Sequence, residues 1–221
     1  MVTRLKEVDA VMVGVGWTGS ILARELTKAG LIVVGLERGP DRVPGKDFTL
    51  PGIRDEMKWG RRPELFQDTA LDTITFRHFP DEEALPMRRW GAFSPGEGTG
   101  GAGVHWTGHH WRFLPYEFEL KSKTLARYGR LAIPDHMNIE DYGVTYDELE
   151  PHFDRFEKLC GTSGKAGNLR GQMIAGGNPF EGWRSDEYPN KPLKQSLAGE
   201  MFEAAANKLG YHPFPLAASK R

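Results

Sequence analysis

The chain has 221 residues, 39% of them hydrophobic and 27% charged, with a formal net charge of −1. That length holds one large domain or two small ones, and the composition is that of a folded protein rather than a disordered one. Balanced charge gives no bulk attraction to nucleic acid, and no stretch is long and apolar enough to span a bilayer.

The single cysteine, Cys160, excludes an internal disulfide and a cysteine-rich zinc or iron–sulfur site. No activating group is apparent beside it, so a buried structural thiol is expected rather than a nucleophile. The first ten residues mix Arg4, Lys6, Glu7 and Asp9 ahead of a short apolar run. No signal peptide is expected there, and by this sequence the chain starts in the cytoplasm.

Residues 8–15 read as a short strand, since Val8, Ala10, Val11, Met12 and Val13 are apolar and largely β-branched. Residues 18–29 carry Ile21, Leu22, Leu26 and Ala29 at helical spacing, with Gly30 as the stop. Residues 31–36 read as a second strand. Strand, glycine turn, helix, strand is a βαβ unit, and its continuous apolar strands suit a sheet covered on both faces. Residues 39–52 read as an extended loop. Residues 53–75 are ambiguous between loop and one or two short helices, and short strands are expected at 76–79 and 87–90.

The Arg61-Arg62 and Arg88-Arg89 pairs and the basic stretch 121–130 read as solvated loop charge. A second glycine-rich segment covers 91–103, followed by aromatic residues from His105 to Phe118. Those aromatics fit core packing better than a ligand cage. Thr145-Tyr146-Asp147-Glu148 fits a capping box, opening a helix whose apolar face is Leu149, Phe153, Phe156 and Leu159 and whose stop is Gly161. Pro151 falls early in that helix, where it is best tolerated. Residues 161–192 read as loop, 193–209 as a helix ended by Gly210, and 211–216 as the start of a strand.

The turn Gly14-Val15-Gly16-Trp17-Thr18-Gly19 carries the dinucleotide fingerprint. Gly14 turns the chain from strand to helix, Gly16 admits a pyrophosphate to the backbone, and Gly19 lets helix and strand pack closely. The phosphates are expected at the helix N-terminus, where N–H groups and partial positive charge converge. Glu37, at the end of the second strand, is placed to accept hydrogen bonds from a ribose diol. It would repel the 2′-phosphate of NADP, a reading that only Arg38 keeps open. The turn alone does not separate FAD from NAD.

In the second segment, Gly98, Gly100, Gly101 and Gly103 expose backbone and admit a flat ligand. His105 and Trp106 follow directly. With Leu36-Glu37-Arg38-Gly39, Trp111-Arg112-Phe113-Leu114-Pro115 and Tyr146-Asp147-Glu148-Leu149-Glu150-Pro151, these motifs resemble the glucose-methanol-choline (GMC) oxidoreductases. The similarity is greatest to the flavoprotein subunits of bacterial gluconate, sorbitol, fructose and glucose dehydrogenases, and it spans almost the whole chain.

The resemblance implies an α/β, Rossmann-like FAD-binding fold of GMC type, incomplete, with the beginning of an α+β substrate domain. Residues 1–160 would be the FAD-binding portion and 161–221 a linker, a helix and the start of the next segment. It implies FAD held by Gly14, Gly16, Trp17, Thr18, Gly19, Glu37, Arg38, Gly98, Gly100, Gly101, Gly103, His105 and Trp106. In related flavoenzymes a histidine in a similar His-Trp-Thr setting is bonded to the flavin ring methyl; at His105 both that bond and a plain hydrogen bond stay open.

The implied reaction is hydride transfer from a CH–OH group of a sugar, sugar acid or alcohol to the flavin. The family's catalytic histidine and its histidine or asparagine partner lie near the end of a much longer chain. No residue here matches them, so no catalytic residue is assigned and the chain alone is expected to be inactive. Implied partners are a polyol, sugar or sugar-acid substrate, a small partner subunit and a cytochrome c subunit, with a periplasmic location if the chain is exported with that partner. The competing readings are an NAD-binding oxidoreductase and a non-catalytic flavin-binding fragment. His105, His109 and His110 raise a metal site only weakly, since glycines at 103 and 108 interrupt a regular helix and no carboxylate completes the set.

Overall fold

A computed structural model describes residue 4 and residues 6–48, 63–87 and 95–219. Residues 53–62, the Arg61-Arg62 and Arg88-Arg89 pairs and Gly91 lie outside them. The chain is a mixed helix and strand protein that divides into two compact units, residues 1–106 and 107–221. Residues 107–160 of the expected cofactor-binding portion therefore pack with residues 161–219 in the second unit.

In the first unit, β1 (Ala10–Val13), α1 (Trp17–Lys28) and β2 (Val33–Leu36) follow the expected order. β1 and β2 pair in parallel, Ala10 opposite Val33 and Val13 opposite Leu36. α1 closes with Gly30 at φ +86°, where Gly30 N–H donates to Thr27 and Leu31 N–H to Leu26. Those two bonds satisfy carbonyls that the helix end would leave open.

Ala10 and Met12 turn to the more covered face, while Val11 and Val13 are 58% and 88% exposed. The expected cover on both faces is thus not seen along β1, and β2 does not alternate, with Val33 and Val34 half-buried and Gly35 and Leu36 exposed. A one-turn helix α2 (Pro44–Asp47) interrupts the expected loop, and a 3-10 turn covers Pro63–Leu65. β3 (Ile74–Phe76) pairs antiparallel with β4 (Leu85–Met87). Both strands start two residues before their expected positions. Beyond β3 the Glu82 carboxylate accepts the N–H of His78 at 2.9 Å, which diverts residues 77–82 into a turn. Residues 88–90 of the other expected strand lie outside the described part.

In the second unit the basic stretch is not a loop. Leu120–Tyr128 is a helix, α3, ended by Gly129 at φ +77°. Its backbone is anchored where Asp141 accepts the Ser122 N–H at 3.1 Å, and its lysine charges stay at the surface. α4 (Tyr146–Cys160) has the expected capping box, with Thr145 Oγ1 accepting Glu148 N–H at 3.3 Å and Glu148 Oε2 accepting Thr145 N–H at 2.7 Å. Its C-cap is Gly161 in the left-handed region.

The buried stripe of α4 differs from the expected one. Tyr146, Glu150 and Glu157 are buried, whereas Leu159 is 41% exposed. The cause is Arg112, itself only 4% exposed, which donates to Glu150 Oε1 at 2.9 Å and spans both oxygens of Glu157 at 3.0 and 2.9 Å. Arg184, fully buried, adds a further bond to Glu157 and lies over the Tyr188 ring at 3.7 Å. Burial alone would raise the Glu150 carboxyl, but Ser185 and Arg112 outweigh it and hold it below the ordinary carboxylate range.

Residues 161–192 are mostly irregular, with a short hairpin of β5 (Asn168–Leu169) and β6 (Gln172–Met173) turning at Arg170 and Gly171, both at positive φ. α5 (Leu197–Lys208) starts four residues later than expected, capped by Ser196 Oγ accepting Gly199 N–H at 3.2 Å. The expected strand at 211–216 does not form. Pro213 and Pro215 remove the donors that a ladder needs. The chain pairs instead just beyond them, where Ala218 bridges both Ser163 and His109.

Candidate functional site

Every residue expected to hold the cofactor lies in the first unit. Gly14 leaves β1 at φ +92° and Gly16 is the N-cap of α1. Trp17, Thr18 and Gly19 form the first helical turn, at the helix end where N–H groups and partial positive charge converge. A Cβ on Gly19 would stand 2.1 Å from the carbonyl oxygen of Gly14, so helix and turn touch backbone to backbone there. No acidic residue sits in that first turn to oppose an anion.

The second glycine segment lies directly on this turn. Gly100 N–H donates to the Val15 carbonyl at 2.8 Å, and a Cβ on Gly101 would stand 3.1 Å from Gly16 Cα. Gly98, Gly100 and Gly101 all have positive φ. Gly101–His105 is a 3-10 turn and Trp106 its cap. The segment is less free than a donor-lined loop. Thr99 N–H goes to Pro40, Gly101 N–H to Gly98 and Gly103 N–H to Gly100. Its glycines therefore serve close backbone approach more than donation to a ligand.

Glu37 is engaged by the protein's own backbone. Oε2 accepts Val15 N–H and Oε1 accepts Gly39 N–H, each at 2.9 Å. These bonds, that from Gly39 foremost, hold its carboxyl below the ordinary carboxylate range. Each oxygen retains a second lone pair for a hydroxyl. Arg38 is paired with Asp72 at 2.6 Å on the surface, an interaction worth little by itself.

Glutamine at 37 keeps one acceptor of the two, so Glu37→Gln should cost about 1 kcal/mol. A lowered native pKa stabilises above the unfolded value, and that contribution is lost as pH falls through the native one. Thermal midpoints of parent and variant should therefore differ at neutral pH and converge on acidification. A difference independent of pH would contradict this role.

His105 packs against Phe66, 4.4 Å between ring centroids with the planes tilted by 31°, and its buried Nε2 has no hydrogen-bond partner among the described residues. Phe66 sits in a segment that carries no clear pattern. It is brought there by pairing of residues 65–67 with 95–97, where Glu97 N–H donates to Leu65 and Gln67 N–H to Pro95. Val15 and Gly39 also escape residue-by-residue reading, because they act through backbone groups. His109 and His110 belong to the second unit, where His110 Nδ1 meets Thr162 Oγ1 at 2.8 Å and the ring stacks on Phe156. Among the described residues no three His, Cys, Asp or Glu side chains converge as metal ligands. Cys160 is half-buried, and burial pushes its thiol up, away from nucleophilic behaviour. Among the described residues no helix is long and apolar enough to cross a membrane.

No protein-family model matches the chain. Curated proteins do. Over 215 residues it is 48% identical to the gluconate 2-dehydrogenase flavoprotein of Pantoea cypripedii, covering 96% of this chain and 35% of that protein. It is 29% identical over 225 residues to the fructose dehydrogenase large subunit of Gluconobacter japonicus, covering 96% and 37%. It is 28% identical over 207 residues to paromamine 6'-oxidase of Streptomyces fradiae, covering 94% and 30%. The chain spans about a third of the length of the curated relatives it matches.

Proposed function

We propose that this chain, a homologue of flavoprotein dehydrogenases and oxidases of the GMC type, is the FAD-binding portion of an oxidoreductase acting on CH–OH groups of sugars, sugar acids or alcohols. The observation that carries this reading is the union of the two glycine segments into one surface, through Gly100 N–H on Val15 and the approach of Gly101 to Gly16. A plain NAD domain needs the first segment and not the second.

The residues present fit the cofactor. The helix N-terminus at Trp17, Thr18 and Gly19 suits a pyrophosphate. Glu37 keeps lone pairs for a ribose, in an α/β unit of Rossmann type. Gly98, Gly100, Gly101 and Gly103 let a flat ring approach the backbone, and Nε2 of His105, without a partner among the described residues, is a buried group that a ligand would satisfy. Arg38, paired with Asp72, would act at the rim.

FAD would supply hydride acceptance from the carbinol carbon. This chain's own part is to bind and orient it, and no residue of the chain is assigned to take the hydroxyl proton. Substrate, partner subunits and electron acceptor belong to the whole protein. The gluconate and fructose relatives favour a polyol, sugar or sugar acid as substrate, and the name "large subunit" favours an assembly with a smaller subunit. A cytochrome c subunit, and the periplasmic side if exported, are proposed on the family resemblance alone.

Titration with FAD and with NAD, followed by flavin fluorescence and by competition, tests the reading. FAD should bind with saturation and NAD should not displace it, while gluconate, sorbitol and glucose should reduce no dye with the chain alone. Preferential NAD binding would overturn it. Acid precipitation separates the two readings of His105: flavin released to the supernatant means no covalent bond.

A further inference from the structure

Trp17 sits between the second and third glycines of the turn and opens α1. A phosphate site has no obvious need of so large a side chain at that point. The indole lies on the second glycine segment. A Cβ on Gly103 would stand 2.5 Å from Trp17 Nε1 and 3.0 Å from its Cε2. The ring also meets that of Trp106 edge-on, with 5.3 Å between centroids and 88° between planes. Edge-to-face contact at that separation is the favoured geometry of an aromatic pair.

The hydrogen bond from Gly100 to Val15 fixes the near end of the segment to the turn. Gly103 and Trp106 lie beyond it, in a stretch whose glycines offer no side chains to pack. Thr99 N–H on Pro40 and the approach of Gly101 to Gly16 hold the same near end. Glycine-rich backbone carries the largest conformational freedom, so the stretch beyond these anchors depends on side-chain contacts, among them His105 on Phe66. Trp17 contacts that stretch at two points, on the backbone at Gly103 and on the side chain of Trp106.

We infer, resting on the FAD reading above, that Trp17 is a positioning residue for the cofactor cradle. It braces the second glycine segment against the first before the cofactor arrives, so that both present one preformed surface. A preformed site binds more tightly because it loses less freedom on binding. Removing one aromatic brace corresponds to about a tenfold loss of affinity.

The test uses Trp17→Ala and Trp17→Phe in the FAD-loaded protein, read by the FAD dissociation constant and by visible circular dichroism of the bound flavin. Trp17→Ala should weaken FAD about tenfold and change the flavin dichroism, while Trp17→Phe, which keeps a ring over Gly103, should restore most of both. A loss of fold stability alone would lower the melting temperature and leave the flavin dichroism unchanged; that result overturns the inference, as does a Trp17→Ala protein that binds FAD like the parent. A parent that binds no FAD overturns the cofactor reading, and this inference with it.

Should Trp17→Ala fail to fold, 5-fluorotryptophan labelling of the parent, assigned with Trp17→Phe and Trp106→Phe, decides. Trp17 and Trp106 resonances that are already sharp without FAD and move little on loading are expected. Broad resonances that sharpen only with FAD contradict a preformed brace.

Discussion

Gly19→Ala should abolish flavin retention, with a loss of FAD affinity of at least about a hundredfold, or roughly 3 kcal/mol. The new methyl would lie 2.1 Å from the Gly14 carbonyl oxygen. Both sides of that contact are backbone, so no side chain can rotate to relieve it. α1 must lift from the turn, and the N–H groups of its first turn leave the place where a pyrophosphate would meet them. Small-to-large changes in close-packed regions already cost about 1–3 kcal/mol, and here the strain falls on the ligand site itself. Gly45→Ala is the control: it lies in α2 with nothing within 4 Å of its Cβ. Fluorescence titration of the two variants against the parent checks the result. Equal FAD binding by Gly19→Ala would show that the turn does not carry the cofactor.

Arg112→Met should destabilise the second unit by about 3–5 kcal/mol, the range for breaking a buried ion pair by removing one partner. Two carboxylates depend on that guanidinium, Glu150 at 2.9 Å and Glu157 at 2.9 Å, with both glutamates and Arg112 at most 5% exposed. Arg184 would remain on Glu157, whereas Glu150 would keep, among the described residues, only its bonds from Ser185 N–H and Oγ, at 2.9 and 2.7 Å. The sign with pH follows from the lowered Glu150 carboxyl: its stabilisation is present above the ordinary carboxylate range and is lost as pH falls through the native value. The parent's advantage over Arg112→Met should therefore shrink on acidification. Urea unfolding at a series of pH values measures it, and a change below about 1 kcal/mol at neutral pH would contradict the assignment.

These expectations divide along the range of the interactions behind them. The β1–α1–β2 unit is legible because its signals are local: the glycine spacing, the apolar run of α1 and the stop at Gly30. The capping box at Thr145 and the cap at Gly161 are legible for the same reason. The buried stripe of α4 is not. Glu150 and Glu157 have the pattern of a solvated helix face, and only arginines 38 and 27 residues away in sequence bring them inside. A signal existed in part, since Arg112 lies within the Trp111–Pro115 block, but composition and periodicity gave no reason to bury it.

In the site, the glycines could be read individually, while the bonds that unite them could not. Glu37 was expected to face a ribose, and its hold on Val15 and Gly39 adds a role that depends on tertiary placement. Trp17 was expected among the residues that hold FAD, and its contact with Gly103 and Trp106 depends on tertiary placement. Proline at 213 and 215 was visible throughout, and it outweighs the β propensity of Tyr211 and Phe214.

Native mass spectrometry of the protein as purified tests FAD binding most directly. One FAD per chain is expected in the native spectrum. A bare chain that takes up no added FAD, or one that carries NAD instead, would contradict the proposal that the two glycine segments form a flavin cradle.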